Sequence, residues 1–237
     1  EFVLRNFRGR AKVLVLDAVS TDKTAEIAAM FGCEVIRRPE SNSECFEVST
    51  RKWALEQSST DYVLIAYASM IVPPKLLDVF GEVSREGKYK AVMHDNQAIT
   101  YGRYVQKPAL RRKSTSCHFF ARDAVNFSNT RIHYEWPVDA PESQILTLPA
   151  KDELSVLTFR DYDVKWMEQK CSSYADEDAI QRFEAGERTS PVKMCWAAFR
   201  HFLHGYFRCG GYRGGVPGLL YHMGWAQMVF NTQARIW

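Results

Sequence analysis

Sixteen residues near the start of the chain, Val13 to Ala28, restrict the fold more than any other stretch. Val13-Leu14-Val15-Leu16 is a short apolar run whose length and branched content predict a buried strand rather than a helix. It ends on Asp17, and a few small or polar residues then lead into a helical pattern. Asp22 or Thr21 can cap that helix, Ile27, Met30 and Phe31 mark its apolar face, and Gly32 stands where a left-handed cap belongs. A carboxylate therefore lies at the carboxyl end of a strand, close to free N–H groups at a helix start. In an open α/β sheet ligands bind at that edge. A helix start favours phosphate, and a carboxylate there can accept from a base N–H or a ribose hydroxyl.

A chain of 237 residues with 46% hydrophobic and 25% charged content can bury a full α/β core and is not disordered. Its net charge of +3 is too small to imply nucleic acid, and none is expected as a partner. The placement of the charge says more: no Asp or Glu follows Glu187, whereas Arg188, Lys193, Arg200, Arg208, Arg213 and Arg235 do. The six cysteines are scattered without a Cys-x-x-Cys pair, so neither zinc ligation nor a disulfide framework is predicted, and reduced cytoplasmic thiols are the expectation. No signal peptide and no membrane-spanning run is legible; Val216 to Phe230 comes nearest, and His222 and Gln227 interrupt it.

Further strands are predicted at Cys33–Arg37, Tyr62–Ala66, Ala91–Asp95, Ser116–Ala121 and Leu154–Phe159. Helices are predicted at the start (Glu1 to Arg10), at Phe46–Gln57, after Pro73-Pro74, at Val164–Glu184, and in the aromatic and basic tail. The tail reads either as an amphipathic pair closing the sheet or as a surface resting on an anionic membrane, and the two are compatible. The domain division predicted is 1–160, an α/β domain, and 161–237, a helical, basic and aromatic segment.

The first stretch resembles the "strand, Asp-Asp/Ser-Gly-Ser-Thr-Asp-x-Thr" segment of family 2 glycosyltransferases, which have the GT-A fold. Asp17, Ser20, Thr21, Asp22 and Thr24 match it; Ala18 and Val19 do not. Thr60 to Pro74 resembles that family's "Gly-Asp-Trp-Val-Leu-Phe-Leu-Asp-Ala-Asp-Glu-x-Val-x-Pro", aligned without a gap. There the Asp-x-Asp holds the divalent metal that bridges the donor diphosphate. Here those places are Tyr67 and Ser69, and neither side chain suits Mg²⁺ or Mn²⁺ as carboxylate oxygen does. Arg51 matches the Arg of an Arg-Asn pair near the diphosphate, with Lys52 in place of Asn. Gly102-Arg103-Tyr104 resembles an acceptor-side segment. Arg131 to Trp136 resembles a His-Glu pattern, with Tyr134 inserted between His133 and Glu135.

The resemblance runs from Val13 to the end and implies a GT-A type α/β domain, a mixed sheet flanked by helices, with a helical C-terminal segment. The family's first strand has no counterpart, so a fragment, or a sheet edge supplied otherwise, is expected. The implied activity is inverting transfer from a nucleotide-sugar, a UDP-sugar in first place, to a lipopolysaccharide or other surface-glycan acceptor. Glu135 serves as base with His133 beside it. Asp17, Ser20, Asp22, Arg51, Tyr67, Ser69 and Arg103 bind substrate, and no metal site is assigned. The implied location is the cytoplasm, with peripheral contact at the inner face of the membrane through 188–237. Loss of the metal ligands leaves three accounts open: cationic side chains neutralise the leaving diphosphate, the site binds without turnover, or the shape alone is kept. The sugar pocket is expected between two neighbouring strand ends, at Asp17 and Tyr67.

Overall fold

A computed structural model describes residues 2–17, 20–38, 52–104, 116–126 and 138–237. Within them the chain is mixed α/β: a mixed sheet flanked by helices, followed by a helical C-terminal segment. It divides into two compact units, 1–96 with 111–157, and 97–110 with 158–237.

In the first unit α1 (Phe2–Phe7) precedes β1 (Leu14–Asp17), α2 (Thr24–Met30) and β2 (Glu34–Arg37). β1 and β2 pair in parallel, Leu14 opposite Glu34 and Asp17 opposite Arg37, as a right-handed β-α-β connection through α2 requires. Gly32 takes φ +72°, the left-handed conformation expected after α2. Met30 departs from expectation. It is exposed, and the buried residue of α2 is Ala28, because a helix of seven residues has too few turns to bury three side chains.

The helical stretch α3 is described over 52–56. β3 (Tyr62–Leu64) is shorter than the predicted Tyr62–Ala66, since the chain turns away to close a turn in which Met70 N–H donates to the Tyr67 carbonyl at 2.8 Å. β4 (Met70–Ile71) leads into α4 (Pro74–Glu86), which starts where a proline fits a first turn and stops at Gly87, φ +66°. Leu76, Leu77, Phe80 and Val83 line its buried face. The other strands are β5 (Ala91–Thr100), β6 (Arg103–Tyr104), β7 (Ser116–Ala121), β8 (Ile145–Thr147) and β9 (Ser155–Arg160).

The larger sheet runs β3-β7-β5-β9-β4, with β6 and β8 also paired to β5. β3 and β5 both run antiparallel to β7, so they are parallel to each other and finish toward the same end. One core cluster joins Phe7, Leu76, Phe80, Val92, Phe119 and Val156, and Val13, Tyr62 and Leu64 pack against it. A second joins Leu55, Val63, Ala91, Cys117 and Phe120. The expectation that β1 and β3 are neighbours is corrected here. Among the described residues β1 pairs only with β2, in a separate two-stranded sheet, and β3 is an edge strand of the larger one.

In the second unit α5 (Val164–Glu184) starts at Asp163, whose carboxylate accepts the Trp166 N–H at 2.7 Å. α6 (Pro191–Leu203) starts at Ser190, which caps Lys193 N–H, and continues as a π-helical turn, His204–Arg208. α7 (Gly215–Ile236) closes the chain. Gly205 and Gly211 lie directly against the His222 ring and Gly218 against the Gly211 carbonyl, so that side chains at these places have no room.

Candidate functional site

Asp17 ends β1 as a buried carboxylate. Both its oxygens face the Ser20 N–H, at 3.2 and 3.3 Å, which ties the carboxylate across the turn that follows the strand. Its backbone carbonyl accepts Arg38 N–H at 2.7 Å, holding the end of β2 beside it. Asp22 is exposed and accepts Thr24 N–H at 2.9 Å; hydrogen bonds from Thr24 hold its carboxyl below the usual carboxylate range. The predicted strand-carboxylate-turn-helix order is therefore present, but the cap place of α2 falls to Lys23, which makes no side-chain cap, and Asp22 one residue earlier accepts the first helical N–H.

Tyr67 and Ser69 lie in the turn between β3 and β4, Tyr67 exposed and Ser69 half-buried. A phenol and a hydroxyl are the donor set where a divalent ion would need carboxylates, and among the described residues no group of three or more His, Cys, Asp or Glu can hold a metal. These residues do not fit Mg²⁺ or Mn²⁺. Arg51, His133 and Glu135 lie outside the described residues, and of Arg103 only the backbone, in β6, is described.

The turn bearing Tyr67 and Ser69 has neighbours that sequence reasoning did not single out. Ile65 N–H donates to the His118 carbonyl at 2.9 Å. His118 is the extra residue of a β-bulge, since Val92 pairs with Phe119 and Met93 with Cys117. Its Nδ1 lies 3.0 Å from His94 Nε2, and His94 Nδ1 lies 3.0 Å from the Asp95 carbonyl. A carbonyl only accepts, so His94 carries its proton on Nδ1, and its Nε2 accepts from His118. Burial pushes the His94 imidazole below its ordinary value, so it is neutral at pH 7.

Asp95, on the next residue, is buried with Ser155; its Oδ2 is 3.3 Å from the Ser155 hydroxyl and its Oδ1 has no hydrogen-bond partner among the described residues. The signal for this cluster was in the sequence. β5 begins Ala91-Val92-Met93 and then turns to His94-Asp95-Asn96-Gln97 within a central strand, where polar side chains are costly unless partnered. The middle of β5 thus holds a buried polar cluster, an imidazole pair with fixed proton positions beside a carboxylate with one acceptor unmet among the described residues. With both nitrogens of His94 engaged and His94, Asp95 and Ser155 fully buried, the cluster joins strands of the sheet and is not itself open to a ligand.

No family model matches the chain. Among solved structures it is similar to the mannosyltransferase PcManGT from Pyrobaculum calidifontis in complex with GDP-Man and Mn2+, with a TM-score of 0.44 and 12% identity over 99% of this chain and 69% of that one. A likeness at that level fixes neither the fold family nor the activity.

Proposed function

We propose that the chain is an inverting glycosyltransferase of the GT-A, family 2 type, moving a sugar from a nucleotide-sugar to a lipopolysaccharide or other surface-glycan acceptor. What carries the reading is Asp17: a buried carboxylate at the carboxyl end of a parallel strand, tied across the following turn by Ser20, in a segment whose residues match the family's nucleotide-binding motif. In this reading Asp17 contacts the nucleoside, with Ser20 and Asp22 shaping the turn around it. Arg51 pairs with the diphosphate through its planar fork. Tyr67, Ser69 and Arg103 line the donor and acceptor positions. The acceptor hydroxyl oxygen attacks the anomeric carbon, the bond to the diphosphate oxygen breaks, and Glu135 takes the hydroxyl proton with His133 orienting it or acting in its stead.

No step is assigned to a metal, because Tyr67-Ala68-Ser69 stands where the family's metal ligands would. Cationic side chains are left to offset the charge of the departing diphosphate. Losing a metal forfeits several kcal/mol of transition-state stabilisation, and turnover is accordingly slow. The donor is a UDP-sugar before others, and the site of action is the cytoplasmic face of a membrane, reached peripherally through 188–237.

A second reading, a silent module of GT-A shape that binds a glycan, a nucleotide or a protein, is favoured by the same Tyr67 and Ser69. Release of nucleoside diphosphate from a panel of nucleotide-sugars, with and without EDTA, separates the two. EDTA-insensitive release supports the transferase. Saturable binding with no release supports the silent module, and metal-dependent release in Tyr67→Asp with Ser69→Asp then traces the silence to the lost ligands.

A further inference from the structure

We infer that the outward face of α6 and its π-helical extension is a docking surface for a bilayer bearing anionic headgroups. Val192, Trp196, Phe199, Leu203 and Phe207 recur at steps of four, three, four and four residues, which places them in one stripe along the helix. The whole stripe is exposed, Val192 by 79%, Trp196 by 60% and Phe207 by 57%. The opposite face carries Met194 and Gly205, both buried within the unit. Folding has therefore packed one side of this helix and left its more aromatic side in water. Singly exposed apolar residues are ordinary, whereas a contiguous run of this kind marks an interaction surface.

The charges beside the stripe decide what covers it. Arg200 is exposed on one flank and Arg208 follows at the π-turn, while Lys193, on the flank of Arg200, is already ion-paired with Glu187 at 2.9 Å; no Asp or Glu occurs from Arg188 to Trp237. An aromatic stripe edged by cations matches the boundary between headgroups and acyl chains, where rings sit at the interface and Lys or Arg pair with phosphate. A second copy of this chain fits less well. A two-fold contact sets a patch against itself, and here that would oppose Arg200 and Arg208 to their copies, the nearby Glu187 being already engaged by Lys193 and Gln233. Among the described residues no helix is long and apolar enough to cross a membrane, so the contact lies in the interface plane. α7 also exposes apolar side chains at Val216, Leu220, Met223 and Phe230.

The inference deepens the peripheral membrane contact proposed for 188–237 by naming its face and its headgroups; because it concerns a surface rather than the sugar site, vesicle binding can fail while donor turnover stands, and the reverse. The test is flotation of the full chain with vesicles of phosphatidylcholine alone or mixed with phosphatidylglycerol, at low and high salt. The expected result is roughly tenfold stronger partition onto the anionic vesicles at low salt, falling as salt rises. Trp196→Ala with Phe199→Ala, both at exposed positions, lowers partition by about tenfold while circular dichroism is unchanged. Arg200→Gln with Arg208→Gln, both at exposed positions, removes the preference for phosphatidylglycerol. Equal partition onto both vesicles, no partition onto either, or partition indifferent to the aromatic pair overturns the inference. Self-association abolished by Trp196→Ala with Phe199→Ala, without lipid binding, overturns it in favour of a second copy.

Discussion

Asp161→Asn is expected to loosen the second unit more than any other isosteric change in it. Asp161 is fully buried at φ +55°, and its backbone carbonyl accepts the N–H of Tyr101, itself at φ +50°. Its Oδ1 takes the Lys170 ammonium at 2.8 Å, and Arg160 Nε is 3.4 Å from Oδ2. Around Lys170 stand the rings of Trp166, Tyr174 and Trp225, at 4.9, 5.7 and 5.8 Å. Burial, and then the neighbouring Arg160, already pull the Lys170 pKa down, and the hydrogen bond to Asp161 opposes them.

Asparagine keeps the size and tolerates the left-handed backbone, so the change removes charge and little else. Stranding one partner of a buried pair costs about 3–5 kcal/mol. The lower end applies here, because the three rings still hold the cation and Lys170 can shed its proton. With a urea slope of about 2–3 kcal/mol/M, a loss of about 3 kcal/mol moves the midpoint of unfolding down by about 1–1.5 M. Adding Lys170→Met removes the stranded cation and restores at least about 1 kcal/mol, a coupling that a double-mutant cycle reads directly. Urea titration followed by circular dichroism is the assay. The reasoning is refuted if Asp161→Asn leaves the midpoint in place, or if Asp161→Asn with Lys170→Met is no more stable than Asp161→Asn alone.

Two further outcomes are expected from the same assay. Gly218→Ala drives a methyl into the Gly211 carbonyl and costs about 2–3 kcal/mol, whereas Gly81→Ala, in open space on α4, gains about 0.5–1 kcal/mol. Stability also falls on mild acidification: burial depresses the pKa values of His94 and His222, so in the folded state both resist a proton that the unfolded chain accepts near pH 6.5. Their contribution is full above that pH and is lost as pH falls through it toward the folded values, at up to about 1.4 kcal/mol per pH unit for each proton. A midpoint unchanged between pH 7.5 and 5.5, or higher at the acid end, contradicts this (about two pH units of scan suffice).

Local chemistry made much of the fold legible. α5 spans Val164–Glu184 as predicted, with Asp163 accepting at its start, and α4 begins at the proline pair and ends at Gly87. β7 keeps its predicted bounds, because Ser116–Ala121 alternates into two cores. What stayed hidden is set at long range. The separation of β1 and β2 from the larger sheet depends on which edges find partners, and no residue within Leu14–Asp17 declares that. The strand predicted at Ala91–Asp95 runs on to Thr100, and within it His118 and Ser155, far along the chain, partner the buried His94 and Asp95. The bulge that aims His118 at His94 is likewise a matter of register, invisible in either strand alone.

The central claim is that an activated sugar binds through its nucleoside at Asp17, and calorimetric titration of the full chain with UDP- and GDP-sugars in EDTA tests it most directly. Asp17→Asn is the matched control, because its amide oxygen still accepts the Ser20 N–H while the negative charge is gone. The account predicts saturable heat with at least one donor and binding about tenfold weaker in Asp17→Asn. Absence of saturable heat with every nucleotide-sugar, or equal affinity in Asp17→Asn, contradicts it.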